Sequence, residues 1–238
     1  FVMYKHLLRL LGVTPVYIDT YPDFAITAAR IEPLITPRTK GIVIGSPSNP
    51  TGATLSEAQW RGIVELAHKH DLLIIDDEIY EEFVYDQAHF SPAALTEHIL
   101  LLGGFSKSHA MTGWRLGYAA GPQEIIDAMT TIQQYTFVCA PSMAQDAGVA
   151  ALRLDTSDWA TQYKAKRDKM VKALSGKYEI QGGSGAFYLF PRIPAGYTSG
   201  TEFCMKAIHE QRLLIIPGSV FSEKDTHFRI SYATSDEK

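Results

Sequence analysis

Short, almost continuous apolar runs separated by helical patterns are the feature that most limits how this chain can fold. Strands that are buried on both faces of a parallel sheet have this character, because helices cover each side of such a sheet. We expect strands in five runs: "VYID" (16–19), "GIVIG" (41–45), "LLIID" (72–76), "ILLLGG" (99–104) and "LGYAAG" (116–121). Their alternation with helices predicts an α/β fold, with a mostly parallel sheet and helices on both of its faces.

The helical stretches carry their own signals. Ser56 and Gln59 form a capping box ahead of an apolar stripe, which predicts a helix over about residues 56–70. Longer helical patterns follow at 142–153 and 158–175. The first of these helices therefore belongs to the βα alternation, whereas the later two mark a change of pattern.

The last third of the chain indicates a second domain. A Gly-rich stretch at 181–194 precedes two short apolar runs, "LLIIPG" (213–218) and "FRISYA" (228–233), which are typical of a small α+β unit. We predict a larger domain over residues 1–160 and a smaller C-terminal α+β domain over 161–238.

Composition argues against several kinds of partner. A net charge of -4 and a pI of about 6.1 give no basic surface for nucleic acid, and no apolar run reaches the roughly 18 residues of a membrane span. Cys139 and Cys204 lie far apart, without metal-ligand spacing. We therefore expect no nucleic-acid, membrane or metal partner, and a cytoplasmic, reducing location.

Polar clusters follow three neighbouring predicted strands, at the edge of the sheet where ligands collect. They are "GSPSNPTG" (45–52), "DDEIY" (76–80) and the loop around Lys107. Lys107 has no acidic neighbour in its segment, which favours the free amine that a catalytic lysine needs. Asp77 suits a cationic partner such as a protonated pyridine nitrogen, and Arg115 suits a phosphate. Together these groups predict a site for pyridoxal 5′-phosphate.

Four segments carry a resemblance to a known family. "SPSNPTG", "DDEIY", "GFSKSHAMTGWRLGY" and "FRISYATS" match, in order, the signature segments of the class I/II pyridoxal-phosphate-dependent aminotransferases, aspartate aminotransferase-like, of fold type I. The resemblance covers the whole sequence. It implies the large α/β domain of that fold together with part of its smaller C-terminal α+β domain, and it implies further family segments before Phe1 and after Lys238.

The resemblance implies roles around the cofactor ring. Lys107 resembles the lysine that forms the aldimine and then shuttles a proton. Asp77 resembles the carboxylate that pairs with the pyridine nitrogen, although Asp76 and Glu78 stand beside it in the sequence. Tyr80 and Asn49 resemble the residues that hydrogen-bond the phenolic oxygen of the ring.

The resemblance also implies phosphate and substrate contacts. Ser106 and Arg115 match phosphate ligands, and Arg229 matches the arginine that binds the substrate α-carboxylate with help from Asn49. Phe1 aligns with the aromatic residue that stacks on the ring. One departure is Gly104, which stands where many relatives carry a serine.

The implied activity is transfer of an amino group from an L-amino acid to a 2-oxo acid by a ping-pong mechanism. Aspartate with 2-oxoglutarate is the first expectation, and aromatic amino acids, alanine or acetylated diaminopimelate remain open. The resemblance also implies a homodimer with the active site at the subunit interface. Two alternatives stay open: a C–S β-lyase of the same fold, and a non-catalytic sensor domain of a transcription regulator.

Overall fold

A computed structural model describes residues 2–235 as seven α-helices and seven β-strands. The helices are α1 (Val2–Leu10), α2 (Ala28–Ile31), α3 (Glu57–Lys69), α4 (Gln123–Gln134), α5 (Ser142–Ala151), α6 (Asp158–Leu174) and α7 (Gly200–Gln211). The strands are β1 (Gly41–Gly45), β2 (Leu73–Asp77), β3 (Ile99–Gly104), β4 (Gly117–Ala120), β5 (Tyr188–Leu189), β6 (Ile216–Pro217) and β7 (Phe228–Ser231). Phe1, the predicted ring-stacking residue, lies outside the described residues.

The larger sheet has the order β1-β2-β3-β4. Its first three strands are parallel, and β4 runs antiparallel to β3 as an edge strand. Four of the five predicted strands and the mostly parallel character of the sheet are therefore confirmed. The strand predicted at 16–19 is wrong. That segment has no regular secondary structure and pairs with no described strand, and Val16 and Tyr17 are 64% and 46% exposed.

One face of the larger sheet packs against α3. The capping box predicted at its start is present, because Ser56 accepts a hydrogen bond from the Gln59 backbone and the Gln59 side chain accepts one from the Ser56 backbone. Trp60 and Ile63 on this helix are fully buried against the β1–β3 side chains, among them Ile74. Each buried side chain of this size stabilises the fold by about 1.5–3 kcal/mol. Packing in this core holds β1, β2 and β3 in place, and with them the residues at their carboxyl ends.

The smaller sheet has the order β5-β7-β6 and is antiparallel. Of the predicted run 213–218 only Ile216–Pro217 pairs as a strand. Helix α6 packs on a largely aromatic cluster that joins Phe83, after β2, to Phe187, next to β5. Residue 160 lies inside this continuous helix, and the division of the chain at that residue stays a prediction.

The far edge of the larger sheet is more open than its centre. Three of the four residues of β4 are exposed, and α4 buries none of its own residues. Within residues 2–235, no helix combines the length and apolar character needed to cross a membrane. The α/β fold predicted from the apolar runs is nevertheless confirmed, since the parallel core is present with a smaller α+β unit beside it.

Candidate active site

The three parallel strands deliver the predicted polar segments to one edge of the sheet. In the register of the ladder, Gly45 at the end of β1 lies beside Asp77, and Asp77 lies beside Leu102. The segments that follow these strands hold Asn49, Tyr80 and Lys107. The topology therefore explains why residues far apart in the sequence gather at the carboxyl ends of the strands.

Lys107 lies in a turn after β3. The turn is closed by backbone hydrogen bonds, in which the His109 and Ala110 N–H groups donate to the Phe105 and Lys107 carbonyls. The Lys107 side chain is half-buried, and its Nζ atom makes no hydrogen bond or ion pair with any residue from 2 to 235. Burial lowers the pKa of Lys107, and the positive charges of Arg115 and Arg229 lower it further. Both effects favour the free amine.

Asp77, the last residue of β2, is held by two donors. The Tyr4 hydroxyl of α1 donates to Asp77 Oδ2 at 2.6 Å, and the Ile79 backbone N–H donates to Oδ1 at 3.3 Å. Burial raises the pKa of the Tyr4 hydroxyl, and the Asp77 charge raises it further, so Tyr4 remains a donor. Tyr4 could not be predicted from sequence, because 73 residues separate it from Asp77.

A second group of predicted residues is in direct contact. Arg229 Nη1 donates to Asn49 Oδ1 at 2.8 Å, and its charged carbon lies over the Tyr188 ring at 4.6 Å and the Phe221 ring at 4.9 Å. The Tyr80 and Tyr188 hydroxyls are 2.8 Å apart. The buried Nε of Arg229 has no hydrogen-bond partner within the described part of the chain, so a donor remains for a ligand. Sequence reasoning missed both aromatic rings.

Burial sets the protonation of Tyr80. Desolvation raises the pKa of its hydroxyl, and the hydrogen bond with Tyr188 raises it further, while the Arg229 charge and a hydrogen bond with Asn49 act in the opposite direction. Tyr80 is therefore a neutral hydroxyl at physiological pH, and it can donate to an oxygen anion. Arg229 contacts Asn49 directly and Tyr80 by way of Tyr188, so these three predicted residues form one connected group.

The two predicted phosphate ligands are less constrained. Arg115 is exposed and adopts a left-handed backbone conformation with φ 56°, and its guanidinium donates to the Thr112 carbonyl at 3.0 Å. Ser106 is half-buried, and its hydroxyl makes no hydrogen bond within residues 2–235. Both stand near Lys107 in the sequence, but within residues 2–235 no hydrogen bond joins them. Likewise, no hydrogen bond or ion pair among the described residues joins Lys107 to Asp77.

The comparison with known proteins decides the family. The sequence profile of one protein family, described as aminotransferase class I and II, matches residues 1–238 of this chain. The chain belongs to this family. It is 38% identical over 253 residues to aromatic-amino-acid aminotransferase 2 of Thermococcus litoralis and 37% identical over 253 residues to aspartate aminotransferase of Pyrococcus abyssi. Each of these alignments covers 100% of this chain and 64% of the relative, so the chain spans less than two thirds of their length.

Solved structures of the family have the same fold. The aromatic aminotransferase of Pyrococcus horikoshii OT3 superposes with a TM-score of 0.94 at 36% identity, covering 100% of this chain and 67% of that one. Members of the family use pyridoxal phosphate. The resemblance stated from the four sequence segments is thereby confirmed at the level of family, fold and cofactor.

The residues of this chain fit that cofactor. Lys107 offers an amine that no carboxylate among the described residues holds, which is the form that reacts with an aldehyde. Asp77 offers a carboxylate for a protonated ring nitrogen, and Arg229 keeps an unpartnered buried N–H. Ser106 offers a hydroxyl, without a hydrogen bond to any described residue, for a phosphate oxygen. The donors and acceptors left over are thus those that this group would use.

Proposed function

We propose that the protein is a pyridoxal-phosphate-dependent aminotransferase, which moves an amino group from an L-amino acid to a 2-oxo acid in two half-reactions. The observation that carries the proposal is the Lys107 amine, which is half-buried, lies near two arginine charges and has no carboxylate partner within residues 2–235. Family membership supports it. When bound, pyridoxal phosphate supplies the aldehyde that takes up the amino group and a ring that accepts electrons.

Each proposed catalytic role follows from a contact or a charge of this chain. Lys107 Nζ, as the free amine, would take the proton from Cα of the amino donor in the first half-reaction and deliver a proton to Cα of the new amino acid in the second. Asp77, oriented by the Tyr4 hydroxyl, keeps a proton on the ring nitrogen. Tyr80 and Asn49 would donate to the ring oxygen; the Tyr188 hydroxyl, 2.8 Å from that of Tyr80, and Arg229, which donates to Asn49, hold them in place.

The substrate carboxylate and the cofactor phosphate are assigned to the arginine and serine side chains of the site. Arg229 binds the substrate α-carboxylate through its free N–H edge, and its bond with Asn49 at 2.8 Å holds the guanidinium in place. Ser106 and Arg115 bind the cofactor phosphate. The position of Arg115, which is exposed, would then change from its contact with the Thr112 carbonyl to a contact with the phosphate.

For the substrates, we propose aspartate as donor and 2-oxoglutarate as acceptor. The relative from Pyrococcus abyssi is named an aspartate aminotransferase, and the relative from Thermococcus litoralis, at nearly the same identity, is named for aromatic amino acids. Initial rates with aspartate and with phenylalanine, each with 2-oxoglutarate, test the choice. A higher kcat/KM for phenylalanine would reverse it.

The lyase and sensor alternatives are not favoured, because the relatives named above are aminotransferases. The test uses the full-length protein saturated with pyridoxal phosphate. We expect its near-ultraviolet or visible band to shift on addition of the amino donor, and we expect one 2-oxo acid to form for each one consumed. Ammonia release from a cysteine conjugate without any 2-oxo acid would instead establish a lyase.

Lys107→Ala is the decisive variant for this proposal. Loss of a proton-transferring side chain lowers the rate by about 10²–10⁴-fold or more. Lys172→Ala, at an exposed position in the last turn of α6, removes the same charge elsewhere and is expected to keep full activity. Equal activity of the two variants would overturn the role of Lys107.

We further propose a homodimer with the active site at the subunit interface. An exposed apolar surface supports a partner subunit: Ile132, Tyr135, Phe137 and Val138, at and after the end of α4, are 64%, 85%, 67% and 67% exposed. Light scattering on the full-length protein tests this, and a monomer at micromolar concentration would contradict it.

A cytoplasmic location is proposed on the state of the cysteines. Cys139 is exposed and Cys204 is buried, and both are free thiols. An exposed free thiol is typical of proteins in reducing compartments. Fractionation of cells that express the tagged full-length protein tests this proposal.

A further inference from the structure

Four ionisable side chains gather next to Asp77 without belonging to the proposed active site. They are Asp76, Glu78, Glu81 and His89, which we call the Glu78 cluster. One ligand atom from each of Glu78, Glu81 and His89 lies within 4.8 Å of the others, and Glu78 Oε1 is 3.3 Å from His89 Nε2. The cluster thus brings two carboxylates and one imidazole to metal-ligand spacing.

Asp76 provides an independent sign that something is missing from this cluster. Its side chain is 0% exposed, and neither carboxylate oxygen has a hydrogen-bond partner within residues 2–235. The Asp76 carboxyl is close enough to the Glu78 carboxyl to share a hydrogen bond when one of the two is protonated, so Asp76 faces the cluster. A buried, unpartnered carboxylate is costly, and proteins normally give such a group a cation or a proton.

Acidic groups outnumber the basic group in the cluster. It holds three carboxyl groups, from Asp76, Glu78 and Glu81, and one imidazole, from His89. Within the described residues, no lysine or arginine appears among the main groups that act on these three carboxyls. An ion of charge +2 would attract these carboxyls and would accept lone pairs from their oxygens.

We infer that the Glu78 cluster binds a divalent transition-metal ion, with Glu78, Glu81 and His89 as ligands and Asp76 as the buried carboxylate behind them. A mixed set of carboxylate oxygens and an imidazole nitrogen suits Zn²⁺ or Mn²⁺. The His89 side chain is 23% exposed and Glu81 is half-buried, so an ion can enter from the surface.

The inferred role of this ion is structural. Glu78 directly follows β2, and His89 lies in the segment that returns towards β3, so an ion between them joins the end of a core strand to a surface loop. Asp76 and Asp77 differ by one position on β2 and therefore point to opposite faces of the sheet. The ion would thus lie on the face away from the Asp77 carboxylate, and it would take no part in transamination.

The test is calorimetric titration of ZnCl₂ into the full-length, cofactor-saturated protein after removal of metal with a chelator. We expect one Zn²⁺ per chain at this site. Glu81→Gln and His89→Asn should each weaken its binding by about tenfold or more, as losses around metal sites do. Glu81 is only half-buried, so Glu81→Gln removes a ligand without opening the core.

Two matched controls separate this site from adventitious binding. Glu97→Gln removes an equal charge at an exposed position just before β3, and His68→Asn removes a surface imidazole that is bonded to Thr96. Both should leave the Zn²⁺ affinity unchanged. Circular dichroism of each metal-free variant checks that it is folded.

Two results would overturn the inference. One is the absence of Zn²⁺ binding by the folded wild-type protein, which would mean that a shared proton, and not an ion, satisfies Asp76. The other is equal Zn²⁺ affinity in the cluster variants and their controls. Because the readout is metal binding and not transamination, either result leaves the proposed function untouched, and loss of the proposed function would leave this test unaffected.

Discussion

Asp76 and Asp77 are neighbours on β2, yet their surroundings are opposite. Asp77 is half-buried and accepts hydrogen bonds from Tyr4 and from the Ile79 backbone. Asp76 is fully buried, and within residues 2–235 both of its oxygens lack a hydrogen-bond partner. Successive side chains of a strand point to opposite faces, so one step in sequence moves a carboxylate from one chemical environment to another.

The charges around Asp76 and those around the loop after β3 differ in sign. Glu78 and Glu81 are among the main influences on Asp76, so its surroundings are acidic. The segment that follows β3 is different, because Lys107 feels the positive charges of Arg115 and Arg229. An anionic cofactor suits the second environment and a metal cation suits the first. The comparison teaches that identical neighbouring residues can belong to two separate sites.

Loss of the Asp77 charge is expected to reduce activity strongly. Asp77→Asn keeps the shape of the side chain but removes the negative charge that would hold a proton on the ring nitrogen. We expect kcat to fall by about 10²–10³-fold, the usual loss when one preorganised electrostatic group is removed from an active site. Asp71→Asn, an exposed change at the other end of β2, is the matched control. Similar kcat values for both variants would contradict the assignment of Asp77.

The two faces of β2 should also differ in stability. Ile74, on the same face as Asp76, is 1% exposed, whereas Ile75 is only half-buried. Ile74→Ala is expected to lower the free energy of unfolding by about 2–5 kcal/mol. Ile75→Ala should cost about half as much, because part of its side chain is already in water. Urea unfolding of both variants measures the difference, and equal midpoints would refute it.

A smaller effect is expected from the two tyrosines that contact these acidic groups. Tyr4→Phe removes the 2.6 Å hydrogen bond to Asp77, and bonds to charged groups contribute about 1.5–3 kcal/mol, so kcat/KM should fall about tenfold or more. Tyr118→Phe removes a 3.3 Å bond to Glu81 from an exposed ring, and kcat/KM should hardly change. If the order of the two losses were reversed, Tyr4 would not orient Asp77.

The smallest expected effect is a shift in the titration of Lys107. Burial and two arginine charges lower its pKa below the ordinary value of 10.5, so more of the amine is unprotonated at a given pH. In the cofactor-free full-length protein, labelling of Lys107 by an amine-reactive reagent should reach its half-maximal rate below pH 10.5. Arg115→Gln should move that midpoint upward. A midpoint at or above 10.5 in the wild type would contradict the favoured free amine.

The parallel core could be predicted from sequence because burial on both faces leaves a clear signal. The runs that became β1, β2 and β3 are continuous and apolar, and each pairs with a neighbour. The run at 16–19 is also largely apolar, but it has no described strand beside it, and Val16 is 64% exposed. A short run of residues shows that a segment is apolar, but a strand also needs a neighbouring strand to pair with.

The candidate site also contains residues that could be predicted from sequence and residues that could not. The segments around Asn49, Tyr80 and Lys107 lie at strand ends, which topology brings to one edge of the sheet. Tyr4 and Tyr188 were not predicted. Tyr4 lies 73 residues from Asp77 and Tyr188 lies 108 residues from Tyr80, so no local spacing in the sequence indicates either contact. The Glu78 cluster was missed for a related reason. His89 looks like an ordinary loop residue until the fold places it against Glu78.

The position of Arg229 has a consequence for what it can recognise. Its charged carbon lies close to the rings of Tyr188 and Phe221, so much of its surface contacts carbon and not water. Hydrogen bonding is then concentrated along the rim of the guanidinium, where Nε is still unused in the described structure. A flat anion with two coplanar oxygens matches that rim, whereas a spherical anion of equal charge would use only part of it. Shape as well as charge would therefore govern which molecules this arginine retains.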